Sequence, residues 1–454
     1  NFSVASTKKA KRRSQESNKT KPQDPLPFPP LSSPPIPTLR SLQEAERLPP
    51  PKDLLKGQDL GFYLHVPFCA AKCYYCNFAV DVKNTEERHR EYAETLRKVT
   101  EAHVEFMMDE ENDVTVSGID IGGGTPTLLS EENLSQVLTP LQPLLTKHAQ
   151  NSPHDPLYLS METTPSIASS EPSKMSHLVN HGVKRISIGV QSTNSTILSD
   201  ANRTKQIKQE VQAVTNLQKA GFERISTDVI FGLPGQTMED WKQDLKVLVD
   251  LGPDAITTYD CLYRGKGRPF RKSAREKQSI PSPEMYGEMY DYGYNFLSKN
   301  GYYAPYGSVN FAKREGETGT SAYFEKRLLW GLPYVGLGNY ASSLLDRYWV
   351  FAPYTVEGWL EAVREKNGEE IMSSWPIHDA YSLGAEERVA KHALLSLSFG
   401  FLDCSYFEKA FPGWDLKDFY GDVLHYLVEE KGWMVYDEKK RRYGLQEGSF
   451  EKMH

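Results

Sequence analysis

The sequence predicts an α/β protein organised around a partial parallel barrel of six strand–helix units, (β/α)6. Three observations indicate this fold. Six short apolar runs between about residues 61 and 262 alternate with helix-length segments, which is typical of a parallel sheet with right-handed crossovers. Thiols, glycines and carboxylates follow the ends of these runs, where active sites gather in parallel α/β folds. With 454 residues, the chain is also long enough for one barrel-sized core.

The predicted barrel is built from strands and helices of ordinary length. The predicted strands are 61–66, 118–122, 157–162, 185–190, 225–231 and 255–260. Helix-length segments between them include 85–108, 131–148 and 205–220. We therefore assign residues 58–282 to the core barrel.

Residues 1–57 form a low-complexity tail. A basic run between Lys8 and Arg13 is followed by clustered prolines between Pro22 and Pro51. This composition cannot bury enough apolar surface to order itself, so it predicts a disordered, partly polyproline II segment. The basic start is also typical of an organelle address, mitochondrial or plastid, although a simple solvated tail explains it equally well.

The pattern changes beyond residue 283. We assign 283–382 to a region that completes the barrel or links it, with an aromatic helix between Tyr286 and Phe296. Residues 383–454 contain two helical segments, 386–397 and 415–431, followed by a hairpin around 433–445. Helix then hairpin predicts a small winged-helix-like C-terminal domain that packs against the barrel.

Composition excludes several classes of function. The net charge of −7 argues against a general nucleic-acid binder, and no run of about 18 apolar residues is present to span a membrane. Five cysteines, three of them in one loop, do not form a disulfide framework. They fit a reducing compartment, so we expect a cytoplasmic monomer unless the tail directs it to an organelle.

The loop after the first predicted strand carries Cys69, Cys73 and Cys76, a C-x₃-C-x₂-C set. Three thiolates on one short loop can face a single inorganic centre. A [4Fe–4S] cluster normally takes a Cys at each iron, so three would leave one iron open to a ligand that is not protein. The alternatives are a zinc site completed by His65 or plain core cysteines, but structural zinc usually takes ligands in paired spacings.

Five motifs occur in register along the chain. They are the cysteine loop, Gly-Gly-Gly-Thr-Pro-Thr at 122–127, Glu-Thr-Thr-Pro at 162–165, Gly-Val-Gln-Ser at 189–192 and Phe-Gly-Leu-Pro-Gly-Gln-Thr at 231–237. Together they resemble the radical S-adenosylmethionine (SAM) enzymes, and more closely the oxygen-independent coproporphyrinogen III oxidase (HemN/HemW-like) superfamily. That superfamily also contains haem chaperones and class C radical methyltransferases. The resemblance covers about residues 61–445.

The resemblance implies cofactors and a chemistry. The three loop cysteines would bind a [4Fe–4S] cluster, and its open iron would take the amino and carboxylate groups of SAM. A reductant such as flavodoxin or ferredoxin would supply one electron, which cleaves SAM and yields a 5′-deoxyadenosyl radical.

The resemblance also implies site residues. The implied cofactor contacts are Tyr63, Tyr75, Gly123, Gly124, Thr125, Glu162, Gln191, Arg203, Asp228, Leu262 and Ser342. Glu162, paired with the SAM amino group, and Tyr63 would be the catalytic residues. Three consecutive glycines would let the backbone approach the methionyl part closely and donate N–H groups to its carboxylate. The two tyrosines could equally be ordinary core residues.

Three of these positions, Gln191, Arg203 and Asp228, match contacts to a second SAM in the decarboxylating family, so one or two cofactor molecules are expected. Arg203 and Asp228 could instead form a structural ion pair.

A basic loop follows the sixth predicted strand. Residues 264–275 contain six basic residues and no acidic one in a chain that is acidic overall. At the rim of a barrel, such a loop could steer a small anionic substrate such as a tetrapyrrole, with Arg264, Arg268 and Arg271 as contacts, or it could simply be solvated.

The predicted function is that of a radical SAM oxidoreductase. Oxidative decarboxylation of coproporphyrinogen III comes first, a class C methyltransferase acting on an aromatic or tetrapyrrole acceptor second, and a haem-binding carrier without turnover third. Two departures bear on this order. Asn77-Phe78 replaces the further Cys usual in the oxidase, and residues 322–330 lack the His-Asn-x-x-Tyr-Trp motif of the haem chaperones.

Overall fold

The computed structural model describes residues 48–152, 157–203, 209–261 and 280–450. The strands are β1 (Asp59–Val66), β2 (Thr115–Gly123), β3 (Leu159–Thr163), β4 (Val183–Gln191), β5 (Arg224–Phe231), β6 (Ala255–Asp260), β7 (Asn310–Ala312), β8 (Tyr334–Leu337), β9 (Ser342–Leu345), β10 (Tyr348–Phe351), β11 (Asp379–Ser382), β12 (Phe401–Asp403), β13 (Met434–Asp437) and β14 (Arg442–Leu445).

The helices of the first half are α1 (Pro51–Leu55), α2 (Glu86–Met108), α3 (Glu131–Leu138), α4 (Gln142–Asn151), α5 (Pro165–Ser170), α6 (Pro172–Asn180), α7 (Ser195–Asp200), α8 (Gln209–Ala220) and α9 (Met238–Leu251). Those of the second half are α10 (Pro283–Lys299), α11 (Ala322–Leu329), α12 (Val356–Val363), α13 (Gly368–Ser373), α14 (Ala385–Leu397), α15 (Cys404–Ala410) and α16 (Leu416–His425). No helix in the described ranges is long and apolar enough to cross a bilayer.

The architecture is mixed α/β, with one large, mostly parallel sheet. The strand order is β11-β10-β9-β8-β1-β2-β3-β4-β5-β6-β7. Strands β1 to β6 pair in parallel and in chain order, which confirms the alternating α/β prediction. The β1–β2 register places His65 beside Gly122 and Val66 beside Gly123, so the cysteine loop and the glycine loop leave the sheet side by side.

The sheet extends beyond β1 in a way that the sequence did not predict. Strand β8 pairs in parallel with β1, with Tyr63 opposite Gly336, and β9, β10 and β11 follow as antiparallel strands. A Cβ at Gly336 would lie 2.5 Å from the backbone oxygen of Ser342. Glycine is therefore needed at this position, because a side chain there would collide with the neighbouring strand.

Helix boundaries follow local chemistry. The side chain of Thr85 accepts a hydrogen bond from the Arg88 N–H and caps α2, close to the predicted start at 85. The predicted helix 131–148 is instead two helices, α3 and α4, because Pro140 and Pro143 lack the N–H groups that a continuous helix requires. Helix α8 begins at Gln209 in the described residues, and 204–208 lie outside them.

The described chain begins inside the predicted tail. Helix α1 lies at 51–55, with Pro51 at its first position and Leu55 fully buried, and Trp375 Nε1 donates to the Pro49 carbonyl at 2.9 Å. These apolar and hydrogen-bonded contacts order residues that composition alone assigned to the disordered segment. Residues 1–47 lie outside the described ranges.

The C-terminal part has its own small antiparallel sheet, in the order β12-β14-β13. The β13–β14 hairpin follows α16 and a π-helical turn over Tyr426–Glu430, which is the helix-then-hairpin order that the sequence indicated. Residues such as Val389, Phe407 and Leu424 form a core cluster of this part.

One stability prediction arises from the packing of α11 on the large sheet. A Cβ at Gly118 in β2 would lie 2.4 Å from the Tyr323 backbone nitrogen, and backbone cannot move aside cheaply. Gly118→Ala is therefore expected to destabilise the protein by about 1–3 kcal/mol, as overpacking does. Gly421→Ala in α16 is the matched control, because its nearest contact is the Lys417 Cβ at 3.8 Å. Urea unfolding of both variants checks this, and equal midpoints would contradict it.

Candidate functional site

The cysteine loop is closed at its base and anchored to the turn after α7. The Cys69 N–H donates to the Asp81 carbonyl at 3.0 Å, and the Asp81 N–H donates to the Pro67 carbonyl at 2.8 Å. Further along, the Tyr74 N–H donates to the Ala201 carbonyl at 3.0 Å. These bonds hold the loop beside the segment that leads to Arg203.

The three loop thiols share one neighbourhood. Cys69, Cys73 and Cys76 are half-buried free cysteines. The pKa of Cys69 is raised to about 11, with burial as the largest cause. A hydrogen bond from Thr125 lowers the pKa, and the negative charges of Cys76 and Cys73 raise it. Burial also raises the pKa of Cys76. Partly buried thiols that lie close together resist ionisation. A positively charged metal centre would stabilise their thiolate forms.

The glycine loop lies directly against the cysteine loop. The Gly124 N–H donates to the Val66 carbonyl at 2.8 Å, and the Thr125 N–H donates to the Phe68 carbonyl at 2.7 Å. A Cβ at Gly124 would lie 2.6 Å from Phe68 backbone oxygen, and Gly123 has a left-handed φ of 106°. Only glycine allows this approach. Thr125 Oγ1 lies 3.6 Å from Cys69 Sγ, so the two loops meet at the first thiol.

Glu162, the penultimate residue of β3, lies against the same glycine loop. A Cβ at Gly122 would lie 2.8 Å from Glu162 Oε1. The pKa of Glu162 is raised to about 8. Burial is the largest cause and the charges of Asp228 and Asp120 come next, while a hydrogen bond from the Gly123 N–H and the charge of Arg185 act in the opposite direction. Glu162 is nevertheless exposed to solvent, so its carboxyl group faces an open cavity that protein surrounds. A cationic group in that cavity would stabilise its ionised form.

The inner face of β5 and β6 lines the same cavity. Asp228 accepts a hydrogen bond from Ser187 Oγ at 2.9 Å, and burial raises its pKa. Tyr259 is 47% exposed, yet protein atoms surround it on most sides. This burial raises the pKa of Tyr259, and the charges of Asp228 and Glu162 raise it as well. Polar side chains from β3, β5 and β6 therefore share one water-accessible space.

Gln191 and Arg203 lie at the end of β4 and beyond α7. Arg203 Nη1 donates to Tyr75 OH at 3.2 Å and lies 3.8 Å from Cys73 Sγ, and Nη2 donates to the Gly189 carbonyl. Within the described residues, no salt bridge joins Arg203 to Asp228, so the alternative structural ion pair is not what the structure shows.

Two buried polar atoms in this corner have no hydrogen-bond partner among the residues that the structure describes, Gln191 Oε1 and Arg203 Nε. Gln191 also has a left-handed φ of 70°, which is a strained backbone for a residue other than glycine. Orphaned donors and acceptors beside an open cavity are what a polar ligand would satisfy.

Two predicted cofactor contacts, Tyr63 and Ser342, belong to β1 and β9. Tyr63 stacks on Tyr323, with ring centroids 5.7 Å apart, and its OH lies 3.3 Å from His65 Nδ1. Ser342 Oγ lies 3.2 Å from Tyr334 OH. The structure therefore places Tyr63 and Ser342 on the β1–β8 side of the cavity. Leu262 and the three predicted substrate contacts, Arg264, Arg268 and Arg271, lie outside the described residues.

The residues fit a [4Fe–4S] cluster with SAM better than a single metal ion. In the described part of the chain, no three His, Cys, Asp or Glu side chains converge as a single ion requires. A cubic cluster takes each thiolate on a different iron, so its ligands need only surround it. His65 is a poor fourth zinc ligand, because its ring lies against Gly123 and its Nδ1 lies 3.3 Å from the Tyr63 hydroxyl.

Comparison with known proteins agrees with this site. The Radical SAM superfamily matches residues 63–248. The heme chaperone HemW of Lactococcus lactis is 30% identical over 395 residues, which cover 85% of this chain and 93% of that protein. Radical S-adenosyl methionine domain-containing protein 1, mitochondrial, of Danio rerio is 28% identical over 280 residues, 62% of this chain and 59% of that protein.

Among solved structures, coproporphyrinogen III oxidase (HemN) of Escherichia coli matches with a TM-score of 0.68 over 88% of this chain and 90% of that chain, at 20% identity, which shows the shared fold. The fold and the site thus define a member of the radical SAM superfamily. Within it, the chain belongs to the HemW/HemN-like group. Membership implies a [4Fe–4S] cluster and SAM as cofactors.

Sequence reasoning missed several cavity residues. Asp120 and Arg185 are charged residues inside otherwise apolar strands, a signal that could have identified them. Arg185 Nη1 donates to Ser160 Oγ at 3.1 Å, and burial raises the pKa of Asp120 to about 6. Tyr259 and Arg327 carried no comparable signal, because a tyrosine in a strand and an arginine on a helix are commonplace.

Proposed function

We propose that this chain is a haem-binding radical SAM protein of the HemW kind. The observation that carries the proposal is the 30% identity with a Lactococcus lactis heme chaperone, which extends over 93% of that protein. This reverses the order that the sequence motifs favoured, in which the oxidase came first.

The chain's own residues would hold the cofactors as follows. Cys69, Cys73 and Cys76 bind the cluster, and Glu162 binds the SAM amino group while the glycine loop offers backbone N–H groups to its carboxylate. When bound, the cluster and SAM supply one-electron cleavage of a C–S bond. A small redox protein such as flavodoxin or ferredoxin supplies the electron.

Residues 322–330 lack the His-Asn pair of the known chaperone motif, and none of them is a histidine that could bind the haem iron. Most of this segment forms α11, in which Tyr323 is buried against the sheet. Haem would therefore be recognised by its ring and its carboxylates rather than by a ligand from this helix.

The second candidate is coproporphyrinogen III oxidase activity. The unsatisfied Gln191 Oε1 and Arg203 Nε, together with Asp228, favour it, because they leave polar atoms for a second SAM. Decarboxylation of two propionates would use two SAM molecules. The Asn77-Phe78 pair after the third thiol weighs against this candidate.

An anaerobic titration separates the candidates. Reconstituted protein is mixed with haem, and separately with SAM, dithionite and coproporphyrinogen III, and the products are read by mass spectrometry. Stoichiometric haem binding without conversion of coproporphyrinogen III is the expected result. Decarboxylated porphyrinogen would establish the oxidase, S-adenosylhomocysteine would indicate methyl transfer, and a failure to bind haem would contradict the proposal.

The raised pKa of Glu162 makes SAM affinity dependent on pH. At pH 7 an acid with a pKa of about 8 is mostly protonated. In protein without the cluster, where no iron binds the SAM amino group, pairing with the ammonium form of that group therefore requires the loss of the Glu162 proton. Affinity is therefore expected to rise between about pH 6 and pH 8, approaching tenfold per unit, until the amino group of SAM itself titrates near pH 8.

The variant Glu162→Gln should bind SAM more weakly and lack this rise, whereas Glu171→Gln, at an exposed carboxylate bonded to Lys174, should retain the wild-type profile. Equilibrium dialysis of the cluster-free proteins at several pH values measures both. A wild-type affinity that stays constant from pH 6 to pH 7.5 would disprove the role given to Glu162.

A further inference from the structure

A group of positive charges and aromatic rings lies where α11 and α14 meet β8 and β10. Arg327 Cζ lies 4.2 Å from the Tyr334 ring centroid, and its Nη1 donates to Tyr323 OH at 3.2 Å. Lys391 Nζ lies 5.7 Å from the Tyr334 ring and 5.3 Å from the Trp349 ring. We name these five residues the Tyr334 cluster.

The two cations of the Tyr334 cluster have no acidic partner in the part of the chain that the structure describes. Within the described ranges, neither Arg327 nor Lys391 forms a salt bridge, and Arg327 Nε is buried without a hydrogen-bond partner. The charge of Arg327 lowers the pKa of Asp120, but the two side chains form no ion pair within the described ranges. Asp120 Oδ2 instead accepts a hydrogen bond from Ser321 Oγ at 2.7 Å. Uncompensated positive charge in a mostly buried place is costly unless an anion joins it.

The two cations also change the pKa of Tyr334. Burial alone would raise the pKa of Tyr334, yet the charges of Arg327 and Lys391 lower it below its ordinary value. Burial also lowers the pKa of Lys391, and the charge of Arg327 adds to this effect.

The cluster borders the cavity of the proposed cofactor site. Tyr63 stacks on Tyr323 with ring centroids 5.7 Å apart. Burial raises the pKa of Tyr63, and the charge of Glu162 raises it as well. Ser342 contacts Tyr334 from the other side. A flat ligand in the cavity could thus lie near the cofactor site at one edge and near Arg327 at the other.

We infer that Arg327 and Lys391 form a carboxylate-binding subsite for the ligand of this cavity. A guanidinium group presents several N–H donors in a plane that matches a carboxylate, and an ammonium group adds a second point of attraction. Stacking on Tyr334 explains how the cations pack, but it leaves most of the guanidinium donors unused. The identity of the ligand rests on the proposed function, since haem carries propionate groups.

The test compares free-acid and esterified probes. Wild-type protein, Arg327→Gln and Lys391→Gln are titrated with haem, haem dimethyl ester, coproporphyrin III and coproporphyrin III tetramethyl ester. Wild type is expected to prefer each free acid over its ester by about tenfold or more, and each variant should lose most of that preference while its affinity for the esters is unchanged. Lys326→Gln removes the same charge from the neighbouring position, where the side chain lies over Trp330, and should leave the preference intact.

The outcomes separate this inference from the proposed function. If haem fails to bind but coproporphyrin III shows the charge-dependent preference, the haem proposal falls and the subsite stands. If free acids and esters bind wild type equally, or if both variants keep the wild-type preference, the subsite is disproved. Thermal unfolding shows whether each variant is folded. If Arg327 and Lys391 had a purely structural role, the variants would be less stable but would keep the wild-type ratio of free-acid to ester affinity.

Discussion

Replacing Cys73 with Ala is expected to abolish the visible absorption of the reconstituted cluster and the cleavage of SAM together. Two thiolates cannot replace three as ligands, and a cluster that is not held cannot present an open iron. Cys73 Sγ also lies 3.8 Å from Arg203 Nη1, so its loss removes a contact of the cofactor corner. Iron and sulfide content per chain, together with 5′-deoxyadenosine formation under dithionite, measure the effect.

Cys404→Ala is the matched control for this substitution. Cys404 is buried at the start of α15, in the C-terminal core, and is a free cysteine outside the loop. This variant should retain about four irons per chain and normal SAM cleavage. Cleavage that persisted in Cys73→Ala, or that disappeared in Cys404→Ala, would overturn the assignment of the cysteine loop.

Replacing Asp244 with Ala should destabilise the fold by about 3 kcal/mol or more, because several buried hydrogen-bond donors would lose their acceptor. Asp244 in α9 is fully buried. Its carboxylate accepts hydrogen bonds from the Thr193 N–H at 2.6 Å, from Ser192 Oγ at 3.0 Å and from Gln236 Nε2 at 3.2 Å. One side chain thus connects the turn after β4 to the turn after β5.

The effect of Asp244→Ala is read by urea unfolding and by SAM affinity, since Gln191 lies one residue before the turn that Asp244 holds. Asp250→Asn, in the same helix, is the control. Asp250 is exposed and pairs with Lys246 at 2.6 Å, so its substitution should change stability by less than about 0.5 kcal/mol. A loss below about 1 kcal/mol for Asp244→Ala would show that the network contributes little.

Local sequence patterns predicted much of the fold. Each of the six strands β1 to β6 is a short apolar run bounded by turn residues, and β6 was predicted at its observed bounds, 255–260. Helix α2 was predicted to within one residue, because Thr85 is a strong cap and the apolar stripe is regular. The split of 131–148 was missed although Pro140 and Pro143 were visible in the sequence.

By itself, the sequence determined which loop carries the thiols, which loop carries the glycines, and that both follow parallel strands. These features are local, since they depend on residues adjacent in the chain. Only the tertiary structure decided that β8 lies beside β1, that Asp120, Glu162 and Asp228 share a cavity, and that Arg327 meets Lys391 from a distant helix. Such meetings depend on contacts between segments far apart in the chain, and no local periodicity encodes them.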